Sequence, residues 1–231
     1  MDKPALTVAS WNIHKGVGSD RRRDLERTAT VIGEIGADIL ALQEVDTRFG
    51  TRRGLLNLEA LKAEHGLAPV SEGIGPAHGW HGNLILLREA EVEEVHQLTL
   101  PGLEPRGALM VELTVAGHPL RVVGAHLGLL PQSRAMQTKL LVERIGELDD
   151  RPTLLMGDLN EWRRTGRAMV HLGTHFDTGG HVATFPARAP MLALDRIMSC
   201  NRARISDLQP HDTPLARSAS DHLPLKARLT L

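Results

Sequence analysis

Short apolar segments of strand length recur along the chain and constrain its fold more than any other feature of the sequence. An apolar run of this kind fits a strand buried in a sheet, and alternation with polar residues marks a strand with one exposed face. The expected strands are residues 5–11, 38–45, 82–89, 91–100, 108–116, 120–128, 153–157, 191–198, 203–210 and 223–231. The sequence therefore predicts a protein with a large β content.

Helical spacing of apolar residues occurs in stretches that lie between these strands. Residues 24–35 form the first, with Gly36 as its stop, and residues 55–66 form the second, ending at Gly66. Glycine is the residue that most often follows a helix. The third expected helix covers residues 133–148, with Ser133 as its N-cap. Strand–helix–strand order outside and a hairpin signal in the middle predict mixed sheets covered by helices, of the α/β or α+β class.

The composition is that of an ordinary globular protein. Of 231 residues, 42% are hydrophobic and 24% are charged. No repeat, low-complexity tract or convincing linker divides the chain, so we expect one domain over residues 1–231. The net charge of -1 argues against a surface built entirely to bind nucleic acid, although a local basic patch is compatible with it.

Cysteine content and hydropathy bear on the compartment. Cys200 is the only cysteine, which excludes an internal disulfide framework and agrees with a reducing compartment. The N-terminus has no apolar core of signal-peptide length, and no run of about 18 apolar residues occurs. We expect a cytoplasmic protein without a transmembrane segment.

Polar side chains adjoin the apolar strands at six separate places in the sequence. Turn formation explains one or two of these, but glutamate and histidine are not preferred turn residues. The residues concerned are Asn12, Glu44, His126, Asp158 with Asn160, Asp195, and Asp221 with His222. Residues placed in this way indicate a site at one edge of a sheet.

The types of these residues favour one chemistry. Carboxylate and amide oxygens suit hard cations such as Mg²⁺ or Mn²⁺, which bind substrate phosphate beside one or two carboxylates. A thiolate zinc site is excluded because the chain lacks a set of cysteine ligands. A histidine bonded to an aspartate can exchange a proton with water or stabilise charge on phosphate oxygens. The set predicts metal-assisted attack of water on a phosphate ester.

The same residues lie in motifs that resemble a known superfamily. The motifs are SWNIHKG, LQEVD, GAHLG, GDLNEW, LDRI and SDHLPL, in this order from Asn12 to His222. They resemble the motifs of the endonuclease/exonuclease/phosphatase superfamily, the DNase I-like phosphoesterases. The resemblance implies a four-layer α/β sandwich, in which two mixed β-sheets pack together with helices outside.

The resemblance also implies roles for individual residues. Glu44 resembles the principal metal ligand, with Asn12 and Asp221 near the ion. Asp158 resembles the aspartate that aligns or activates the attacking water, and Asn160 resembles its phosphate-binding neighbour.

His222 and Asp195 resemble the histidine at the scissile phosphate and the aspartate that orients it. Either Asp158 or His222 is then the general base, and the sequence leaves that choice open. His126 matches a second histidine of the DNase and sphingomyelinase branches, which favours these branches over DNA-repair enzymes. Its acidic partner is not identifiable in the sequence.

Two further residues are candidates for contact with the substrate phosphate. Asn83 and Arg106 lie where members of the superfamily place polar residues beside the phosphate, and an arginine suits an oxyanion. The alternatives are a turn amide for Asn83 and a surface charge for Arg106. Trp162, next to GDLN, is a packing residue or a substrate-stacking residue.

We therefore expect a Mg²⁺- or Mn²⁺-dependent hydrolase that acts on phosphodiester bonds, with nucleic acid among its candidate substrates. The alternatives are a phosphatase, a phospholipid or sphingomyelinase-type phosphodiesterase, and a binding module on the same fold that has lost catalysis. No protein partner is implied. Substrate choice is expected to depend on loops at residues 14–24, 71–82 and 163–190.

Overall fold

The computed structural model describes residues 5–47, 50–70, 77–177 and 180–231, so residues 71–76 and 178–179 of two expected substrate loops lie outside the described residues. Two sheets form the centre of the molecule. The strands are β1 (Ala5–Asn12), β2 (Ile39–Gln43), β3 (Ala68–Pro69), β4 (Leu84–Leu87), β5 (Ala90–Leu100), β6 (Arg106–Val115), β7 (His118–His126), β8 (Thr153–Asp158), β9 (Asp195–Cys200), β10 (Arg204–Pro210) and β11 (Leu225–Thr230). The six-stranded sheet has the order β10-β11-β1-β2-β4-β3, and the five-stranded sheet has the order β5-β6-β7-β8-β9.

Both sheets are mixed. β1 pairs with β2 in parallel, as β7 does with β8, and the other neighbouring strands are antiparallel. The expected hairpin in the middle of the chain is β6–β7, whose turn residues Ala116 and Gly117 have positive φ angles. A parallel pair needs a crossover connection, which helix α1 (Leu25–Ile35) supplies in one sheet and helix α3 (Pro131–Gly146) in the other.

Five helices cover the outer faces of the sheets in the described residues. They are α1 (Leu25–Ile35), α2 (Leu58–His65), α3 (Pro131–Gly146), α4 (Arg167–Leu172) and α5 (Pro214–Ala219). α1, α2 and α5 pack on the six-stranded sheet, and α3 and α4 pack on the five-stranded sheet. The order helix, sheet, sheet, helix confirms the expected four-layer α/β sandwich. None of the helices in the described part is long and apolar enough to cross a membrane.

The prediction that Ser133 caps the third helix is wrong. α3 begins at Pro131, and its N-cap is Leu130, which makes no side-chain cap bond. Proline is favoured in the first turn because its fixed φ suits a helix and the missing N–H has no helical partner there. Ser133 lies inside the first turn and is buried. The first helix is capped by Asp24, whose side chain accepts a bond from the Arg27 backbone N–H.

The apolar core between the sheets follows the two-residue period of the strands. Val8 of β1 and Ile39 of β2 meet Val122 of β7 and Met156 of β8 across this core. Because alternate residues of a strand face the same side, every second residue after these also faces the opposite sheet. Polar residues that continue this series past the apolar core are therefore held in the gap between the sheets.

Candidate active site

The expected site residues of four strands lie at one end of the gap between the sheets. Asn12, His126 and Asp158 are the last residues of β1, β7 and β8, and Asp195 is the first residue of the antiparallel β9. Asp158 is paired with His126 on one side and with Asp195 on the other. It follows Met156 of the core by two residues and therefore faces the other sheet.

His222 connects two buried carboxylates at this position. Its Nδ1 lies 2.8 Å from Asp195 Oδ2, and its Nε2 lies 3.7 Å from Asp158 Oδ2. Thr184 Oγ1 donates a hydrogen bond of 2.5 Å to the same Asp195 Oδ2. All of these side chains are buried. The bond to Asp195 holds the imidazole with Nε2 directed towards Asp158.

The pKa values of Asp158 and His222 are both raised, for different reasons. Burial raises the pKa of Asp158, and this outweighs the attraction of His222 and the hydrogen bond from Asn12. Burial lowers the pKa of His222, but the charges of Asp195 and Asp158 outweigh it, so this pKa lies well above the usual range. The cluster thus contains a charged imidazolium beside a carboxylate that accepts a proton more readily than an exposed one.

Asn12 and the segment before β11 join the two sheets at the site. Asn12 Nδ2 donates a 3.0 Å hydrogen bond to Asp158 Oδ2 of the other sheet. Ser220 Oγ donates to the Asn12 carbonyl at 2.7 Å, and Trp11 Nε1 donates to the His222 carbonyl at 2.9 Å. These bonds determine where His222 lies relative to Asp158.

Asn160 is held close to the end of β8. Its backbone N–H donates to Asp158 Oδ1 at 3.0 Å, and its Nδ2 donates to the Leu127 carbonyl at 2.9 Å. The position beside Asp158 is the one expected for it, and contact with a phosphate stays a prediction.

His126 lies in a chain of charged groups that sequence reasoning found only in part. Its Nε2 is 3.4 Å from Asp158 Oδ2, and both of its ring nitrogens are 3.0 Å from Arg106 Nη1. Arg106 is buried and forms a 2.9 Å ion pair with Glu104, so it is not a surface charge. Glu104 was missed, although it precedes Arg106 by only two residues. The carboxylate nearest to His126 in the described structure is that of Asp158.

Asn83 is held inside the fold by two backbone carbonyls. The side chain is fully buried, and its Nδ2 donates to the carbonyls of Trp80 and Gly107 at 3.1 and 2.9 Å. Both amide hydrogens are used in this way, which fits the turn-amide alternative. Contact of Asn83 with a substrate phosphate stays a prediction.

The expected metal ligands Glu44 and Asp221 are more open to solvent than the His222 cluster. Their side chains are 17% and 40% exposed. Glu44 has a φ of 57°, an unfavourable value for a glutamate that redirects the chain directly after β2. Lys15 Nζ donates to Glu44 Oε2, and His14 Nδ1 lies 3.6 Å from Asp221 Oδ1. Burial raises the pKa of Glu44, but Lys15 outweighs it, and the net shift is downward.

This donor set fits a hard divalent cation. Carboxylate oxygens that remain partly exposed leave room for the waters that Mg²⁺ retains. The Glu44 carboxylate already binds one cation, the ammonium group of Lys15. Atoms of Asp158, Asp195 and His222 also lie within 4.8 Å of one another, which makes them a second candidate metal set. That set is buried, whereas the side chains of Glu44 and Asp221 stay partly exposed, so they are the better match for a hydrated ion. Lys15 was not identified from the sequence.

A single cleft brings the metal candidate Glu44 together with the basic candidates. Its lining includes Lys15, Glu44, Arg106 and His126, with His81 at one side. An oxyanion in this cleft would meet the Arg106 guanidinium while an ion at Glu44 neutralised its charge.

Comparison with known proteins identifies the relatives of this arrangement. The model of the Endonuclease/Exonuclease/phosphatase family matches residues 9–222. The chain belongs to this family. The chain is also 30% identical to the uncharacterized protein YbhP of Escherichia coli (strain K12), and the alignment covers 98% of this chain and 97% of YbhP. Membership supports a phosphoesterase-type function.

Solved structures of family members and related proteins share the fold. A family protein from Bacteroides vulgatus has a TM-score of 0.77 at 18% identity, covering 99% of this chain and 100% of that one. The human Nocturnin catalytic domain, solved with a bound sulfate anion, has a TM-score of 0.72 at 19% identity, covering 98% and 93%. A humanized D. rerio TDP2 with 14 mutations has a TM-score of 0.71 at 18% identity, covering 98% of this chain and 99% of that one.

Proposed function

We propose that this family member hydrolyses phosphodiester bonds with Mg²⁺ or Mn²⁺ as its cofactor. One observation carries the proposal: Glu44, Arg106 and His126 line one cleft, and Asp158 with His222 lies directly beside His126. A carboxylate for a cation, a guanidinium for an oxyanion and a charged acid–base pair are the groups that this reaction needs.

Glu44, Asp221 and Asn12 are the residues that would hold the ion. When bound, the ion supplies charge neutralisation at the phosphate oxygens and lowers the pKa of water. The Asn12 side chain also donates a hydrogen bond to Asp158, so it fixes the position of the metal ligands relative to Asp158.

Asp158 is the group that we assign to accept the proton of the attacking water. Burial raises its pKa, which makes the carboxylate a stronger base than an exposed aspartate. His222, charged through Asp195 and Asp158, stabilises the negative charge that develops on the phosphate oxygens.

Arg106 and His126 complete the phosphate side of the cleft. Arg106 binds a phosphate oxygen while Glu104 fixes its guanidinium plane, and Asn160 contributes a polar contact from the end of β8. His126, between Arg106 and Asp158, is placed to give a proton to the leaving oxygen.

The test is hydrolysis of bis(p-nitrophenyl) phosphate by chelator-treated protein, with Mg²⁺ or Mn²⁺ restored. We expect metal-dependent turnover in the wild type and a loss of at least about 100-fold in Asp158→Asn, because general-base catalysis contributes about that much. Asp150→Asn is the matched control, since Asp150 is exposed and outside the site. Absence of turnover in the wild type, or equal rates for Asp158→Asn and the control, contradicts the proposal.

A panel of natural substrates then separates the remaining classes. Nucleic acid is one candidate, and a structure of D. rerio TDP2 with a single-strand DNA product illustrates such a ligand on this fold. Phospholipid head groups are a second candidate. Mono-p-nitrophenyl phosphate tests the phosphatase alternative, for which we expect slower turnover than for the diester.

A further inference from the structure

Four of the seven exposed large hydrophobic side chains in the described residues lie in loops that hydrogen bonds hold together, and the other three are Met136, Val170 and Met191. We define the apolar rim as Leu103, Leu129, Leu130 and Trp162, whose exposed fractions are 86, 63, 47 and 46%. Leu103 lies in the loop that leads to Arg106, and Leu129 and Leu130 lie in the loop that follows His126. Apolar groups gathered on one surface in this way mark a binding region more often than scattered ones do.

Hydrogen bonds join the first two loops of the apolar rim. Glu104 Oε1 accepts a 2.6 Å bond from the Leu129 N–H. The Gln137 side chain accepts from the Gly128 N–H at 2.8 Å and donates to the Pro101 carbonyl at 2.9 Å. Leu103, Leu129 and Leu130 are therefore held on one surface rather than on independent loops.

Trp162 joins the same surface through a buried arginine. Arg134 Nη1 donates to the Leu129 carbonyl at 2.6 Å, and its Nη2 bonds Glu161 Oε2 at 3.1 Å. Glu161 directly precedes Trp162. This arrangement fixes the backbone of the loop while leaving the indole exposed.

Three exposed arginines follow Trp162 of the apolar rim in the chain. Arg163, Arg164 and Arg167 are all exposed, and the Arg163 guanidinium lies 4.9 Å from the centre of the Trp162 ring. Glu104 is occupied by Arg106 and by the Leu129 N–H. A protein with a net charge of only -1 thus has a local cationic surface beside exposed leucines.

We propose that the apolar rim docks on an anionic phospholipid surface. Interfacial binding requires apolar groups that enter the lipid and cations that meet its head groups, and the rim with its three arginines provides both. Nucleic acid fits less well, because bases stack on aromatic rings and three of the four rim residues are leucines. Docking would present a head-group phosphodiester to the cleft, and this consequence rests on the proposed function. The docking itself does not depend on the proposed function.

The test is cosedimentation of the protein with vesicles. Wild-type protein is expected to sediment with phosphatidylglycerol/phosphatidylcholine vesicles and much less with phosphatidylcholine alone. Leu103→Gln/Leu129→Gln removes apolar contact without changing the charge and should weaken binding at least about tenfold, since burial of one leucine contributes more than this factor. Thermal unfolding of each variant verifies that it is folded.

Charge variants provide the matched control. Arg163→Gln/Arg164→Gln should weaken binding to anionic vesicles, whereas Arg202→Gln/Arg204→Gln should not. Arg202 and Arg204 are exposed and lie beyond Cys200, at the end of β9 opposite Asp195. If both pairs of substitutions weakened vesicle binding equally, binding would depend on net charge alone, and the proposal would be overturned.

Other occupants of the surface give different results. Failure of wild-type protein to bind anionic vesicles overturns the proposal, and binding of single-stranded DNA in its place assigns the surface to nucleic acid. A concentration-dependent dimer that Leu103→Gln/Leu129→Gln dissociates, without vesicle binding, assigns it to a second copy of the chain. Vesicle binding without turnover of bis(p-nitrophenyl) phosphate would leave docking intact and refute the proposed function alone.

Discussion

At the scale of single residues, His222 depends on its neighbours for its charge. Its pKa lies above the ordinary value of 6.5, because Asp195 and Asp158 outweigh the effect of burial. The stabilisation that this histidine gives the fold is complete below its unfolded-state pKa and is lost as the pH rises through the folded-state pKa. At neutral pH the imidazolium is therefore retained at the place where phosphate charge would develop.

Thr184→Val tests the support given to Asp195. The substitution keeps the shape of the side chain but removes the hydroxyl that donates to Asp195 Oδ2. We expect kcat for the diester to fall by roughly tenfold with KM little changed, since a lost bond of about 1.5 kcal/mol corresponds to that factor. Steady-state kinetics measure the effect, and Thr184→Ser should restore most of the rate. A change confined to KM would contradict a positioning role.

Asp158→Asn should inactivate the protein and change how its stability depends on pH. The folded-state pKa of Asp158 is raised, so the charged carboxylate destabilises the fold increasingly as the pH rises from the unfolded-state value through the folded-state value. Loss of the hydrogen bonds to Asp158 and of its charge beside His222 opposes this gain at every pH. Thermal unfolding of wild type and variant without metal should therefore favour the variant more at pH 8 than at pH 4, and the reverse order would refute the explanation.

Several residues of the site could not be predicted because their roles depend on contacts that exist only in the folded chain. Asn12, Asp158 and His222 are recognisable because each adjoins an apolar strand. Thr184 has no such signal, since its bond to Asp195 depends on how the loop before β9 folds back. Lys15 and Glu104 are also defined by contacts, with Glu44 and Arg106. A charged residue in a polar loop is not informative until the chain is folded.

At the scale of elements, a helix or strand could be predicted where it was long enough to show its hydrophobic period. The long helices α1 and α3 cover more than two turns each and show the helical period, whereas α4 and α5 have six residues each and show too little of it. β3 has two residues and was not expected. Strand periodicity gave the large β content, but the order of strands in each sheet depends on contacts across the core.

Capping of the helices gives a test at this scale. Asp24→Ala should lower the free energy of unfolding by about 1 kcal/mol, because Asp24 caps α1 through the Arg27 N–H. Ser133→Ala should cost less, because α3 begins at Pro131 and Ser133 does not cap it. Urea denaturation of the two variants measures the difference. A larger loss for Ser133→Ala would show that the start of α3 is misassigned.

At the scale of the whole molecule, the proposed metal should act on stability as well as on catalysis. A ligand that binds only the folded state stabilises it by about 2.7 kcal/mol at a concentration 100 times its Kd. We therefore expect millimolar Mg²⁺ or Mn²⁺ to raise the Tm of wild-type protein. Glu44→Gln should abolish the increase, while Glu59→Gln, which alters an exposed acid on α2, should retain it. An increase that survives in Glu44→Gln would place the ion elsewhere.

The bond between Asn12 and Asp158 has a mechanical consequence. It crosses from one sheet to the other, and it lies at the open end of the core that the two sheets share. Any sliding of one sheet over the other would separate the two halves of the cleft before it exposed the apolar interior. The same bond thus aligns the reactive groups and fixes the position of one sheet on the other. A change of volume deep in the core would therefore change the distances between the groups of the cleft.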